Sequence, residues 1–182
     1  RGHGKDAVPV DAEPNPDKHV IANVFKVIND PFVGKLGVFR VYQGSVRKDS
    51  QLFIDDGRKP FKVGHLFALQ GKDHRDIDQV GPGGIAAVAK VDAIHFNAVL
   101  HDSHDEDAIS LAPLAFPQPM YGLAVEPAHK GQEQKLSDAM ERLTEEDPCL
   151  HVEHHKELNE TVLRGLGELH LRVALERMAG RY

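Results

Sequence analysis

Residues 160–171, Glu-Thr-Val-Leu-Arg-Gly-Leu-Gly-Glu-Leu-His-Leu, constrain the fold more than any other stretch of this chain. The stretch opens with period-two alternation: Thr161 and Leu163 face one way, Val162 and Arg164 the other, as in a strand. Gly165 and Gly167 interrupt that period, and Glu168 opens a helical one. Leu171, Ala174, Leu175 and Met178 then fall at i, i+3, i+4 and i+7, which is one helix face. Glu168 in the first turn complements the positive end of the helix dipole. The spacing predicts strand, tight corner and helix, and so an α+β unit at this end of the chain.

The other end has a different grammar. Residues 1–18 are polar and carry Pro9, Pro14 and Pro16, so they read as an extended lead-in. Short strands are predicted over 19–28, 36–42, 51–54, 61–69 and 85–91, with Val46 in a further short piece. In the first of these, alternation puts Ile21, Phe25 and Val27 on one side and Val20, Ala22 and Val24 on the other. Turn residues separate the strands: Asn29-Asp30-Pro31, Asp55-Asp56-Gly57 and Gly81-Pro82-Gly83-Gly84. Strands and turns at this spacing predict an antiparallel barrel or sandwich over residues 19–112. Pro113, Pro117 and Pro119 form a stiff linker over 113–119. Residues 120–126 then read as a strand, and 131–146 as a helix with Leu136, Ala139, Met140 and Leu143 on one face. Asp147-Pro148 stops that helix. A strand over 150–155 and a Leu158-Asn159 turn lead into the opening stretch, with Gly180 as a helix terminator. The order β-α-β-β-α over 120–182 is a split βαβ pattern lacking its last strand.

Composition excludes several classes of function. The net charge is -6, so any contact with nucleic acid is local. The single cysteine, Cys149, precludes an internal disulfide and fits a reducing compartment, and it reads as a buried thiol at a strand start. No apolar run reaches membrane-spanning length and no signal peptide is visible, so a cytoplasmic location and no membrane partner are expected. No Gly-x-x-x-x-Gly-Lys-Ser/Thr phosphate loop is present. Gly2-His3-Gly4-Lys5 lacks the upstream glycine, the hydroxyl residue and a preceding strand. The histidines of residues 101–107 and those at 151, 154 and 155 do not converge as a zinc set: in a strand His151 and His155 share a face that His154 opposes. No metal and no catalytic residue are therefore expected.

Three blocks resemble the elongation factor G family of translational GTPases. Gly165, Gly167, Glu168, Leu169, His170 and Leu171 are similar to that family's Gly-Met-Gly-Glu-Leu-His-Leu, with Leu166 in place of the methionine. Val24-Phe25-Lys26-Val27, residues 30–36 (Asp-Pro-Phe-Val-Gly-Lys-Leu) and residues 39–44 (Phe-Arg-Val-Tyr-Gln-Gly) resemble the start of its second domain. Residues 134–137 and 143–148 resemble its third. The likeness covers residues 19–182. It implies a mainly β then α+β chain: an antiparallel β-barrel of the translation-factor second-domain type, followed by a truncated ferredoxin-like domain. Departures occur at Asp49-Ser50, at residues 64–74 and at residues 96–100, which leaves open a diverged ribosome-binding or regulatory paralogue without translocase activity.

The resemblance also implies function. The parent chain would be a GTP hydrolase acting on the ribosome, in translocation of transfer and messenger RNA or in ribosome disassembly. GTP and magnesium would sit in an upstream nucleotide domain, and this piece would carry no cofactor. Its partners would be ribosomal RNA, a small-subunit protein and its own GTP-binding domain. The interface residues implied are Asp30, Pro31, Phe32, Gly34 and Lys35 in one loop, with Lys35 as a phosphate or carboxylate contact. Two basic pairs at turns, Arg47-Lys48 and Arg58-Lys59, suit RNA held by shape through its phosphates. Arg164, Gly165, Gly167, Glu168 and His170 complete the set.

Overall fold

The computed structural model describes residues 7–181, and the Gly2-His3-Gly4-Lys5 segment lies outside them. The chain divides into two compact units, Arg1–Pro113 and Leu114–Tyr182. Their boundary falls at the predicted proline linker.

In the first unit the strands are β1 (Ile21–Asp30), β2 (Gly34–Gln43), β3 (Val46–Arg47), β4 (Gln51–Ile54), β5 (Phe61–Lys62), β6 (Leu66–Gln70), β7 (Asp73–Asp76), β8 (Gln79–Val80), β9 (Ile85–Ala89) and β10 (Val99–His101). Eight of them form one curled antiparallel sheet in the order β5-β4-β10-β1-β2-β9-β6-β7, and β3 pairs with β8 as a separate ribbon. The concave side holds a core of Val24, Val27, Phe39, Val41, Leu52, Leu66 and Leu100, joined by Val46 and Val80 from the ribbon. This is the barrel-type architecture expected.

The phase of β1 differs from simple alternation. Val24 lies opposite Phe39 and Lys26 opposite Val38, so Phe25 is the extra residue of a β-bulge. The bulge brings Val27 onto the core side with Ala22 and Val24, and leaves Phe25 at the surface. Ile21 packs instead with Val99 and Ile109. The run 61–69 is broken into β5 and β6. Val63 leaves β5 to exchange backbone hydrogen bonds with Asp49 and Ser50, which turns the chain. Residues 7–18 hold no strand or helix, and their end is tied to β2: Gly44 N–H donates to Asn15 O at 2.9 Å. Gly44 has φ +74°, and a Cβ there would lie 2.7 Å from both Lys18 O and Val20 Cα, so only glycine closes this turn.

The second unit contains β11 (Tyr121–Ala124), α1 (Glu133–Glu146), β12 (His151–His155), β13 (Glu160–Gly165) and α2 (Glu168–Arg181). The sheet order is β11-β13-β12, antiparallel throughout, with Leu163 of β13 opposite both Leu123 and Val152. Leu163, Leu171 and Ala174 meet Leu143 and Leu150 in the core, so the α2 face read from the sequence is the buried one. Gly180 does not terminate α2, which runs through it to Arg181. Among the described residues the outer edge of β11 has no partner strand.

Candidate functional site

The β13–α2 corner is a short-range construction with little freedom. A Cβ on Gly165 would lie 2.7 Å from Leu171 Cδ2 and 2.9 Å from His170 Nδ1, so packing demands glycine there. Gly167 differs: a Cβ would meet nothing within 4 Å, and its backbone is not left-handed. Packing within this unit gives no reason for a glycine at 167. Leu166 N–H donates to His170 Nδ1 at 3.0 Å, which fixes the ring proton on Nε2. That Nε2–H donates to Asp147 Oδ2 at 2.8 Å, while Asp147 Oδ1 accepts from Cys149 N–H at 2.8 Å. His170 therefore staples the corner to the end of α1. The sequence presented Asp147 only as part of a helix stop; its capping of Cys149 and its grip on His170 were not legible there.

Around this staple the surface is apolar and open. Leu169 is 71% exposed, with Leu166 and Val173 also at the surface. Glu168 pairs with Arg172 one turn on, at 2.6 Å. Arg164 is half-buried and committed: its Nε lies 2.8 Å from Glu153 Oε1, as an ion pair whose geometry falls short of a hydrogen bond. That pairing holds the Glu153 carboxyl below its ordinary range. Burial, helped by the Asp147 carboxylate, pushes the Cys149 thiol up, away from a reactive thiolate.

In the first unit, residues 30–34 form the tip of the β1–β2 hairpin. Asp30 Oδ1 accepts from both Phe32 N–H and Val33 N–H at 2.8 Å, and Gly34 supplies φ +85°. The tip is thus braced, with Pro31 beside a Phe32 that is 93% exposed. Lys35 is not held ready for an outside anion: its Nζ donates to Asp92 O at 2.9 Å.

The two basic pairs are exposed but do not form one cluster. Arg47 and Lys48 precede β4, whereas Arg58 and Lys59 lie in the turn after it. Since Gln51 faces Lys62 and Leu52 faces Phe61, the pairs sit at opposite ends of β4, separated by roughly 13 Å of strand.

Asp55, in the turn that carries the second pair, is a hub that sequence reading missed. Its Oδ1 accepts from Val99 N–H at 2.9 Å and its Oδ2 from His95 Nε2 at 2.8 Å. His101 is fully buried. Its Nε2 faces Asp55 O at 2.5 Å and its Nδ1 faces Ser103 O at 2.8 Å. His151, His154 and His155 are exposed on β12.

The hub gives the first unit a pH dependence. The hydrogen bond to Asp55 raises His95 above the ordinary histidine value, against a burial that lowers it. Burial pushes Asp55 up, but the His95 and Val99 N–H groups more than offset it, and Asp55 ends below its ordinary value. A raised histidine stabilises below its unfolded value of about 6.5, and that contribution is lost as pH rises through the folded value. A lowered carboxylate stabilises above about 3.9, and its contribution is lost as pH falls through the folded value. The melting temperature of this unit is expected to be highest between roughly pH 4 and 6.5 and to decline on both sides. In His95→Gln the alkaline decline should flatten in a melting series; an unchanged decline would remove His95 from the account.

Comparison with known proteins agrees with this geometry unit by unit. Residues 19–103 match the family model described as elongation factor G domain 2, and residues 116–182 match Elongation Factor G, domain III. Elongation factor G of Thermotoga neapolitana is 36% identical over 173 residues, covering 95% of this chain and 25% of the relative. Elongation factor G of Thermotoga maritima is also 36% identical over the same length and coverage. A crystal structure from Thermus thermophilus superposes with a TM-score of 0.75 at 33% identity, over 90% of this chain and 24% of that one. The chain therefore spans about a quarter of the length of these relatives. With both units matched in order by that family's own domains, the chain belongs to the elongation factor G family, of which it carries the second and third domains.

Proposed function

We propose that this chain is the ribosome-contacting and relaying part of a translational GTPase that works in the cytoplasm. The nucleotide domain, with GTP and magnesium, belongs to the part of the protein outside these residues. The first unit offers Arg47, Lys48, Arg58 and Lys59 at two turns to the phosphates of small-subunit ribosomal RNA, where a small-subunit protein is also in reach. The second unit offers the β13–α2 corner to the nucleotide domain. The observation that carries this reading is Gly167, a glycine that packing inside its own unit does not require, beside an exposed Leu169 and a corner pinned by His170. A surface held rigid but left bare suits a contact that forms and breaks with the nucleotide state. The braced tip at Asp30, Pro31, Phe32 and Gly34 is a second contact of the same kind.

Movement of transfer and messenger RNA is one outcome of such coupling and ribosome disassembly another. The second reading, a regulatory paralogue without translocase activity, is favoured by the departures at residues 64–74 and 96–100. The phosphate-loop and switch sequences of the nucleotide domain separate the two: intact motifs support the GTPase, degraded ones the paralogue. For the present chain the test is calorimetric titration with GTP and magnesium. No binding in the micromolar range is expected; a stoichiometric isotherm would contradict the assignment of the nucleotide site to another domain.

A further inference from the structure

We propose that the exposed patch of Phe25, Lys26, Arg40, Tyr42 and Ile85, on the outer side of β1, β2 and β9, is a stacking platform for an unpaired RNA segment. Two irregularities in the β1–β2 pairing build it. The bulge at Phe25 turns both Phe25 and Lys26 away from the core. A second register shift, between the pairs Ile21–Gln43 and Ala22–Val41, leaves Tyr42 with no residue directly opposite. Arg40 lies between these features, facing Asn23 on one side and Ile85 of β9 on the other. Phe25 is 41% exposed, Tyr42 38% and Ile85 53%. The Arg40 guanidinium carbon lies 5.8 Å from the centroid of the Tyr42 ring.

The chemistry of the patch selects its occupant. The chain as a whole carries a net charge of -6, yet the exposed charged side chains of this patch are two cations, Lys26 and Arg40, while Lys35 is held by Asp92 O and the single acid of the three strands is Asp30. Asp30 sits at the hairpin tip and its Oδ1 is taken by two backbone N–H groups. A basic strip in an acidic chain favours a polyanion. An apolar protein surface would cover Phe25 and Ile85 but desolvate the guanidinium without giving it an acceptor. An unpaired nucleotide satisfies both requirements: its base stacks on a tyrosine ring or guanidinium plane, and its phosphate meets Lys26 or Arg40. Duplex RNA offers the phosphates but keeps its bases out of reach. The platform lies on strands other than β3–β5, around which the two basic turn pairs are placed.

The proposal rests on the ribosomal reading for the source of the RNA, and its test separates the two. Fluorescence anisotropy of the whole chain is measured with a labelled oligouridylate of about twelve nucleotides, which gives a span of several stacked bases. A hairpin duplex of similar length and purified small ribosomal subunits are titrated in parallel. The single strand is expected to bind more tightly than the duplex. Phe25→Ala and Tyr42→Ala should each weaken it about five- to hundredfold, the effect of losing one stacked base, while Tyr42→Phe keeps it. Arg40→Ala should reduce the slope of log K against log salt by about 0.7, as for one phosphate on a single strand. Unchanged oligonucleotide binding in Phe25→Ala and Tyr42→Ala, with wild-type melting, overturns the platform. So does a wild-type chain that binds neither RNA. Loss of subunit binding without loss of oligonucleotide binding makes the patch a protein contact and also overturns it. If the turn-pair variants alone lose the subunit, the ribosomal reading stands and the platform falls.

Discussion

Leu163→Ala is expected to abolish the cooperative unfolding of the second unit and to leave that of the first in place. Leu163 is fully buried on the central strand β13, between Leu123 and Val152, and above Leu171 and Leu143. Truncating a leucine in such a site costs about 2–5 kcal/mol, through lost transfer energy and the residual cavity. A unit of this size has roughly 4–10 kcal/mol in all, so one cavity removes much or all of its stability. Differential scanning calorimetry of wild type should show two transitions, and in the variant only that of the Arg1–Pro113 unit should persist unshifted. A variant in which both transitions move together would contradict the division into two units.

The second large effect concerns the unpaired edge of β11. Beside it runs a groove of about 520 Å³, lined by Leu123, Val125, Leu136, Ala139, Leu175 and Met178. A sheet edge left bare next to apolar side chains of two helices is a site for one more strand, and it invites pairing with another chain. Extending the chain by about ten to fifteen residues that pair with this edge is expected to complete the split βαβ pattern. Each apolar side chain buried there adds about 1.5 kcal/mol for some 60 Å² covered. Two or three of them would raise the melting temperature of this unit by roughly ten degrees or more and suppress self-association. Unchanged melting and association after extension would contradict the assignment of this edge.

Most of the architecture was legible because it is written in local periodicity. Leu171 and Ala174 of one predicted helix face and Ala139, Met140 and Leu143 of the other are buried, while Leu175, Met178 and Leu136 of the same faces are partly buried and line the groove. What failed was phase. A bulge adds one residue without changing the composition of a strand, so alternation alone placed Phe25 with Val27, and the pairing to β2 was needed to correct it. The candidate site was legible as a motif and illegible as a mechanism. Sequence treats Gly165 and Gly167 alike, and only the neighbouring Leu171 and His170 atoms distinguish a glycine required by packing from one that is not. Lys35 and Arg164 were implied as interface residues, and their partners inside the fold, Asp92 O and Glu153, were not legible because they lie on other segments of the chain. Asp55, His95 and His101 were missed for the same reason, since the hub joins two turns and a strand end.

The central claim, that the turn cations of the first unit hold ribosomal RNA, is tested by titrating purified small subunits with this chain across a salt series. Four phosphate contacts predict an affinity that falls about 50- to 150-fold between roughly 50 and 200 mM salt. The Arg47→Glu, Lys48→Glu, Arg58→Glu, Lys59→Glu variant should bind weakly throughout and lose most of that slope while keeping wild-type melting. Binding by the wild type with no salt dependence, or a folded quadruple variant that binds as wild type does, would contradict it.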